Sequence, residues 1–279
     1  MTLNRFFDVL YVGAGPNARY LFIVLMSLIS AIIFLLIFKK TSNQRKIKYH
    51  KDKIFGNMLQ MPLYKDKFGM LVLSILNILK HNLLYLKQTL IPLVFICIPL
   101  ILFTVQINNR CGYKPLEVNQ RFIMRVDLDA NAIQDSLPAV IENVYCEPSP
   151  EIVLETPPLR IETEGNVFWR ARVAELPQNS QPYLRIGVQG SDRLIEKTIV
   201  TDYRYERFSP AKGKWSFWNG LFNNAEGFLA DDAFFEFVSI DYHRASYAFL
   251  FWSVDAIILY FLLTLIFALA LKPFVKVTI

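Results

Sequence analysis

The chain has 279 residues, 53% of them hydrophobic and 19% charged, with a mean hydropathy of +0.30 and a formal net charge of +6. That balance is too apolar for an ordinary soluble domain of this length, and the charge is far from evenly spread. Its three histidines, His50, His81 and His243, and its three cysteines form no cluster with metal-ligand spacing, so neither a metal nor a cofactor is expected.

Residues 1–18, MTLNRFFDVLYVGAGPNA, read as an exterior segment. They carry a short amphipathic helix from Leu3 to Val12, ended by Gly13, Gly15 and Pro16. GAGP is a turn here, because no βαβ unit surrounds it as a phosphate loop would require. Residues 19–38 contain YLFIVLMSLISAIIFLLIF, which is uncharged and long enough to cross the ~30 Å hydrocarbon core. The run is too long for a signal peptide, the basic cluster follows it, and no cleavage site comes after. It reads as a retained anchor.

Residues 39–87 hold eleven Lys or Arg against only Asp52 and Asp66. Such an excess marks a cytoplasmic segment, and it accounts for the overall positive charge better than nucleic-acid binding does; no DNA partner is expected. In 43–61, Ile47, Ile54, Met58 and Met61 recur at helical spacing among cations, and Pro62 closes the helix. One face of it suits anionic lipid or a partner helix. In the next stretch Ser74, Asn77, His81, Tyr85 and Gln88 form a polar stripe on a Leu/Ile-rich helix, flanked by Lys80 and Lys87. Two readings stay open for that stripe: the polar edge of an interfacial helix, or the lining of a groove open to the cytoplasm. An unbroken helix from Tyr64 to Gln106 would be about 64 Å long at ~1.5 Å per residue. Pro92 and Pro99 offer places for it to bend into the second span, 88–106.

Residues 107–245 carry a net −5 and read as exterior. Short β-branched and aromatic runs fill 117–210, separated by turn residues, and favour an antiparallel β-sandwich. In NVFWRARVAEL, Val167, Trp169, Ala171 and Val173 alternate onto one face. Residues 211–232 read as a loop or short helix whose Trp215, Phe217, Trp218 and Phe222 suit a membrane interface, and 234–242 as a last strand. Cys111 and Cys146 both fall in this exterior part, where a disulfide survives, although spacing alone does not show that they meet.

The third span is expected over 246–272, with a cytoplasmic tail at 273–279. Asp255 is its one ionisable residue, preceded by Tyr247, Phe251 and Trp252 like an aromatic belt. It reads either as an interfacial carboxylate or as the polar lining of a bundle. The expected fold is thus an α-helical three-span membrane protein with an inserted all-β, sandwich-like exterior domain. No GxSxG, Walker or HExxH pattern occurs, and no catalytic residue or enzyme activity is expected.

The stretches SNQRKIKYHKDKIFGNMLQMPLYKDK (42–67), NLLYLKQTLIPLVFICIPLILFTVQINNRCGYKPL (82–116) and the terminal FALALKPFVKVTI resemble the YidC-type insertase superfamily. The branch they most resemble contains the third subunit of the endoplasmic reticulum membrane protein complex, here in a bacterial version. The resemblance covers about half the chain. It implies a membrane-protein insertase or chaperone of a bacterial inner membrane, with lipid, nascent membrane proteins and the ribosome as partners. It also implies a polar groove, to which Ser74, Asn77, Lys80, His81, Lys87, Gln88 and Asp255 are the candidates. The chain departs from that pattern twice. The groove arginine typical of that superfamily has no counterpart inside a span, Arg19 standing at the membrane edge, so Lys80, His81 or Lys87 would stand in, and the β domain follows the second span rather than the first. The alternative is a structural or sensory membrane subunit whose exterior domain binds a partner, such as other membrane subunits.

Overall fold

The computed structural model describes Phe7, Tyr11 and residues 16–64, 66–129, 137–175, 181–191, 193–202, 207–222 and 226–275. The amphipathic segment expected at 3–12 apart from Phe7 and Tyr11, the GAGP turn apart from Pro16, and the end of the tail with Lys276 lie outside these residues. The chain divides into two compact units. One comprises Met1–Phe22 with Val105–Ile257, the other Ile23–Thr104 with Ile258–Ile279.

Three helices are long and apolar enough to cross a membrane. The first, α1 (Pro16–Thr41), starts on Pro16, whose fixed φ suits the first helical position and whose missing N–H is no loss there. Lys39 and Lys40 close it, cations placed where the helix dipole is negative. The short α2 (Gln44–Leu63) is capped by Asn43, whose side chain accepts the Lys46 N–H at 3.1 Å. It runs one residue past Pro62.

The third helix, α3 (Phe68–Cys111), runs through both the expected stripe helix and the expected second span. It is one helix of 44 residues, about 66 Å at ~1.5 Å per residue, and contains both Pro92 and Pro99. Gly112 ends it, donating its N–H to the Asn108 carbonyl; a Cβ there would come within 2.6 Å of that oxygen. Last comes α6 (Ala256–Val275), which starts ten residues later than the span expected from 246. In the helical unit α1 and α6 pack through small and polar side chains, as close-packed apolar helices do. The Ser27 hydroxyl lies against the Ile23 and Tyr260 carbonyls, and the Tyr260 hydroxyl donates to Ser30 Oγ at 2.9 Å.

The other unit holds antiparallel sheets. Strands β1 (Arg121–Leu128), β3 (Ile152–Leu154), β5 (Asn166–Val173), β8 (Ala211–Gly213) and β9 (Phe235–Ile240) run in the order β3-β5-β1-β9-β8, with β4 (Leu159–Ile161) also on β5. A three-stranded sheet follows the order β2 (Val144–Pro148), β6 (Tyr183–Val188), β7 (Ile195–Thr198). Both sheets feed one hydrophobic core: Met124, Val126, Trp169 and Val238 from the first meet Val144, Leu184 and Ile186 from the second. The register sets Met124 opposite Trp169 and Val126 opposite Val167. The inward set of β5 is Val167, Trp169, Ala171 and Val173, all buried. Two short helices, α4 (Leu137–Glu142) and α5 (Phe217–Phe222), join strands. A separate hairpin, β10 (Ser246–Phe249) with β11 (Trp252–Asp255), occupies the start of the expected third span.

Cys111 and Cys146 are free thiols, so the disulfide considered from the sequence is not formed. Cys111 is buried at the end of α3, beside the Arg19 carbonyl, while Cys146 packs from β2 against the sheet core.

Candidate functional site

Most side chains of α3 are arranged the reverse of a soluble helix. Leu76, Leu79, Leu83, Leu86 and Leu90 are exposed, whereas Ser74 is buried and Asn77, His81 and Gln88 are half-buried. Spacings of three and four put the polar group on one face and the leucines on the other. A helix whose leucines face outward suits an apolar solvent.

The polar face meets α2. His50 Nδ1 and His81 Nδ1 lie 3.0 Å apart with the rings tilted at 39°. One imidazole therefore donates while the other accepts. Tyr49 stands edge-on to both rings, and Lys53 Nζ lies 5.8 Å from its centroid. Beside this cluster an open cleft of about 600 Å³ is lined by Tyr49, Asp52, Lys53, Asn57, Asn77 and His81 among others. The inward positions of α2 are Ile47, His50, Ile54, Asn57 and Met61, so Met58, expected on that face, is instead exposed.

The candidate residues divide. Asn77 and His81 line the cleft. Ser74 is buried and turns its hydroxyl to the Met70 carbonyl of its own helix at 3.0 Å. Lys80 and Lys87 are exposed, and Gln88 is half-buried farther along α3. Asp255 belongs to the other unit and lies outside any apolar helix: it ends β11, and its Oδ1 accepts the Ile257 N–H at 2.9 Å, capping α6. The belt proposed with it also changes. Tyr247 is buried and donates its hydroxyl to the Cys111 carbonyl at 2.7 Å, while Phe251 and Trp252 are exposed.

Sequence reasoning missed Tyr49, His50, Asp52, Lys53 and Asn57. A signal was there for two of them: His50 and Asn57 share the helical phase of Ile47 and Ile54. Chemically the cleft offers imidazole, amide, carboxylate and ammonium groups on an open surface. Among the described residues no three His, Cys, Asp or Glu side chains converge as metal ligands.

In the β unit Trp215, Phe217 and Trp218 around α5 are exposed, with the Phe217 and Trp218 rings edge-to-face at 5.3 Å. The side chain of Phe222, grouped with them from the sequence, lies outside the described residues. Two arginines, Arg19 and Arg110, are buried in the same unit. Arg19 donates to the Tyr113 carbonyl at 2.7 Å and stacks 4.7 Å from the Phe208 centroid.

No family model, characterised protein or solved structure matches this chain.

Proposed function

We propose that the chain is a multi-pass membrane protein of membrane-protein biogenesis, an insertase or chaperone of the YidC-like type, with the α2–α3 cleft as its polar groove. The reading places α1, α3 and α6 across the bilayer of a bacterial inner membrane. The lysine-rich segment with α2 is cytoplasmic, and the acidic β unit is exterior. The N-terminus is then outside and the C-terminus inside.

One observation carries the proposal: the inverted polarity of α3, with leucines outward and Asn77, His81 and Gln88 turned inward, where α2 meets it through the His50–His81 contact. A polar segment entering hydrocarbon alone loses its hydrogen bonds to water at a cost of several kcal/mol per group. A hydrated cleft holding amide, imidazole and ammonium groups offers replacements along part of that path, and local thinning of the bilayer shortens it. No nucleotide is needed, because the client's own apolar segment supplies the driving force. Cations around the cleft attract acidic segments of a nascent chain, or ribosomal RNA.

The test is client insertion. Cells depleted of the protein should insert fewer membrane proteins with short translocated segments, and a version carrying Asn77→Leu with His81→Leu should restore less than the unmodified chain. Unchanged insertion across a client panel rejects the reading. The exposed Trp215, Phe217 and Trp218 favour a second one, in which the β unit binds an exterior partner and the helices only anchor it. Binding of an exterior protein lost on replacing those three aromatics, with insertion unaffected, would select that reading.

A further inference from the structure

The hairpin β10–β11 stands apart from both sheets of its unit. Its register pairs Phe249 with Trp252, leaving a two-residue loop of Leu250 and Phe251. Leu250, Phe251 and Trp252 are 80%, 95% and 74% exposed, three large apolar side chains in succession. Leu250 also has φ +53°, at the loop position where hairpins ordinarily use glycine, asparagine or aspartate. A small residue would relieve the backbone and remove apolar surface from water together. A leucine there costs backbone strain and exposed apolar surface together, and an apolar partner for its side chain offsets the second.

The base of the hairpin identifies that partner. Tyr247 bonds to the Cys111 carbonyl at the end of α3, and the Ala245 N–H to the Gly112 carbonyl. The Tyr247 ring lies 6.5 Å from that of Tyr20, in the first turns of α1. Asp255 closes β11 and caps α6, which begins at the next residue. One end of each of the three apolar helices therefore gathers at this hairpin, all within one unit. At ~3.4 Å per residue its tip lies within about 14 Å of that level. No charged residue occurs from Ala245 to Val254, and an apolar tip bearing Trp and Phe matches the zone between headgroups and acyl chains.

We infer that Leu250, Phe251 and Trp252 insert into the bilayer interface, making the hairpin a lipid-binding wedge that holds the β unit against the membrane and sets the depth of α6. The inference rests on the reading of the three helices as membrane spans. It does not depend on insertase activity.

The test uses the full chain in phosphatidylcholine–phosphatidylglycerol vesicles with or without dibrominated acyl chains. Trp215→Phe and Trp218→Phe leave Trp252 and the buried Trp169, whose signal is measured in a Trp252→Phe control. Brominated lipid should lower the Trp252 emission at least twofold. The outward-facing Leu265 of α6, changed to tryptophan in the Trp252→Phe background, reports on the span itself. Quenching at 265 without quenching at 252 overturns the wedge and leaves the span intact, whether water or protein covers the tip. Quenching at neither position overturns the span reading and the wedge with it. Quenching at 252 alone removes the span reading and, with it, the wedge as the device that sets the depth of α6.

Discussion

His50 on α2 and His81 on α3, thirty-one residues apart in sequence, approach to 3.0 Å between ring nitrogens. The contact needs one donor and one acceptor, so each ring restricts the tautomer of the other. Replacing either with alanine leaves its partner to bond with water in an open cleft. A double-mutant cycle of His50→Ala and His81→Ala, read as thermal stability in detergent micelles, should give a coupling of about 1 kcal/mol. A coupling near zero would mean that the two rings act independently.

The orientation of α3 is open to labelling. With the native cysteines replaced, a cysteine at Asn77 should react with a membrane-impermeant maleimide added from the cytoplasmic side. A cysteine at Leu79 faces outward and should stay unreactive in a bilayer. Ser74 is buried, so its cysteine should react at least tenfold more slowly than that at Asn77. Equal rates at 77 and 79 would remove the distinction between a polar and an apolar face.

Trp169 is buried between the sheets, opposite Met124. Trp169→Ala removes the largest side chain of β5 from the shared core and should cost about 3–5 kcal/mol. Near-ultraviolet circular dichroism of the full chain should lose its aromatic signal at lower denaturant. The enlargement Val167→Ile, one methylene added at a neighbouring inward position, tests overpacking and should cost about 1–3 kcal/mol.

Alkaline stability follows from two tyrosines. Burial raises the Tyr242 phenol above its ordinary value near 10, and its oxygen accepts the Val200 N–H at 3.0 Å. Tyr247 is raised as well, chiefly by burial. Above pH 10 the folded chain therefore keeps protons that the unfolded chain releases. The stabilisation is complete below that pH and falls as pH rises through the folded values. Melting temperatures should decline from pH 10 upward, and Tyr242→Phe should make the decline shallower.

Cys146 is half-exposed by surface, yet burial of its sulfur and the nearby Glu147 push the thiol up to about 12. At pH 8 it carries roughly a thousandfold less thiolate than an ordinary cysteine. Iodoacetamide should modify it only after denaturation, and mass spectrometry of the non-reduced protein should find no Cys111–Cys146 bridge.

Local pattern determined a large part of this molecule. Period-two burial from Val167 to Val173 is legible because every second side chain must leave water, whatever sheet the strand joins. The apolar runs of α1, α3 and α6 are legible for the same reason over a longer stretch, since twenty uncharged residues have few other places to go. Strand β8 was missed because Ala211–Gly213 is only three residues long and has no β-branched or aromatic side chain; its place comes from pairing with β9. The start of the third apolar helix was misplaced for a different reason. Tyr247–Trp252 are as apolar as the helix that follows, and Leu250–Phe251 lacks the glycine or asparagine that would announce a turn. Hydropathy measures transfer from water and is blind to whether a chain is helix or hairpin.

Tertiary structure alone decided which polar residues act together. Asp255 and the α3 stripe looked equivalent in sequence, but the first caps a helix in one unit while Asn77 and His81 border a cleft in the other. Tyr49, Lys53 and Asn57 border that cleft, and His50 meets His81 beside it, only because α2 and α3 pair. Contacts across dozens of residues depend on how helices pack, which no local spacing encodes, whereas burial on one face is written into every turn.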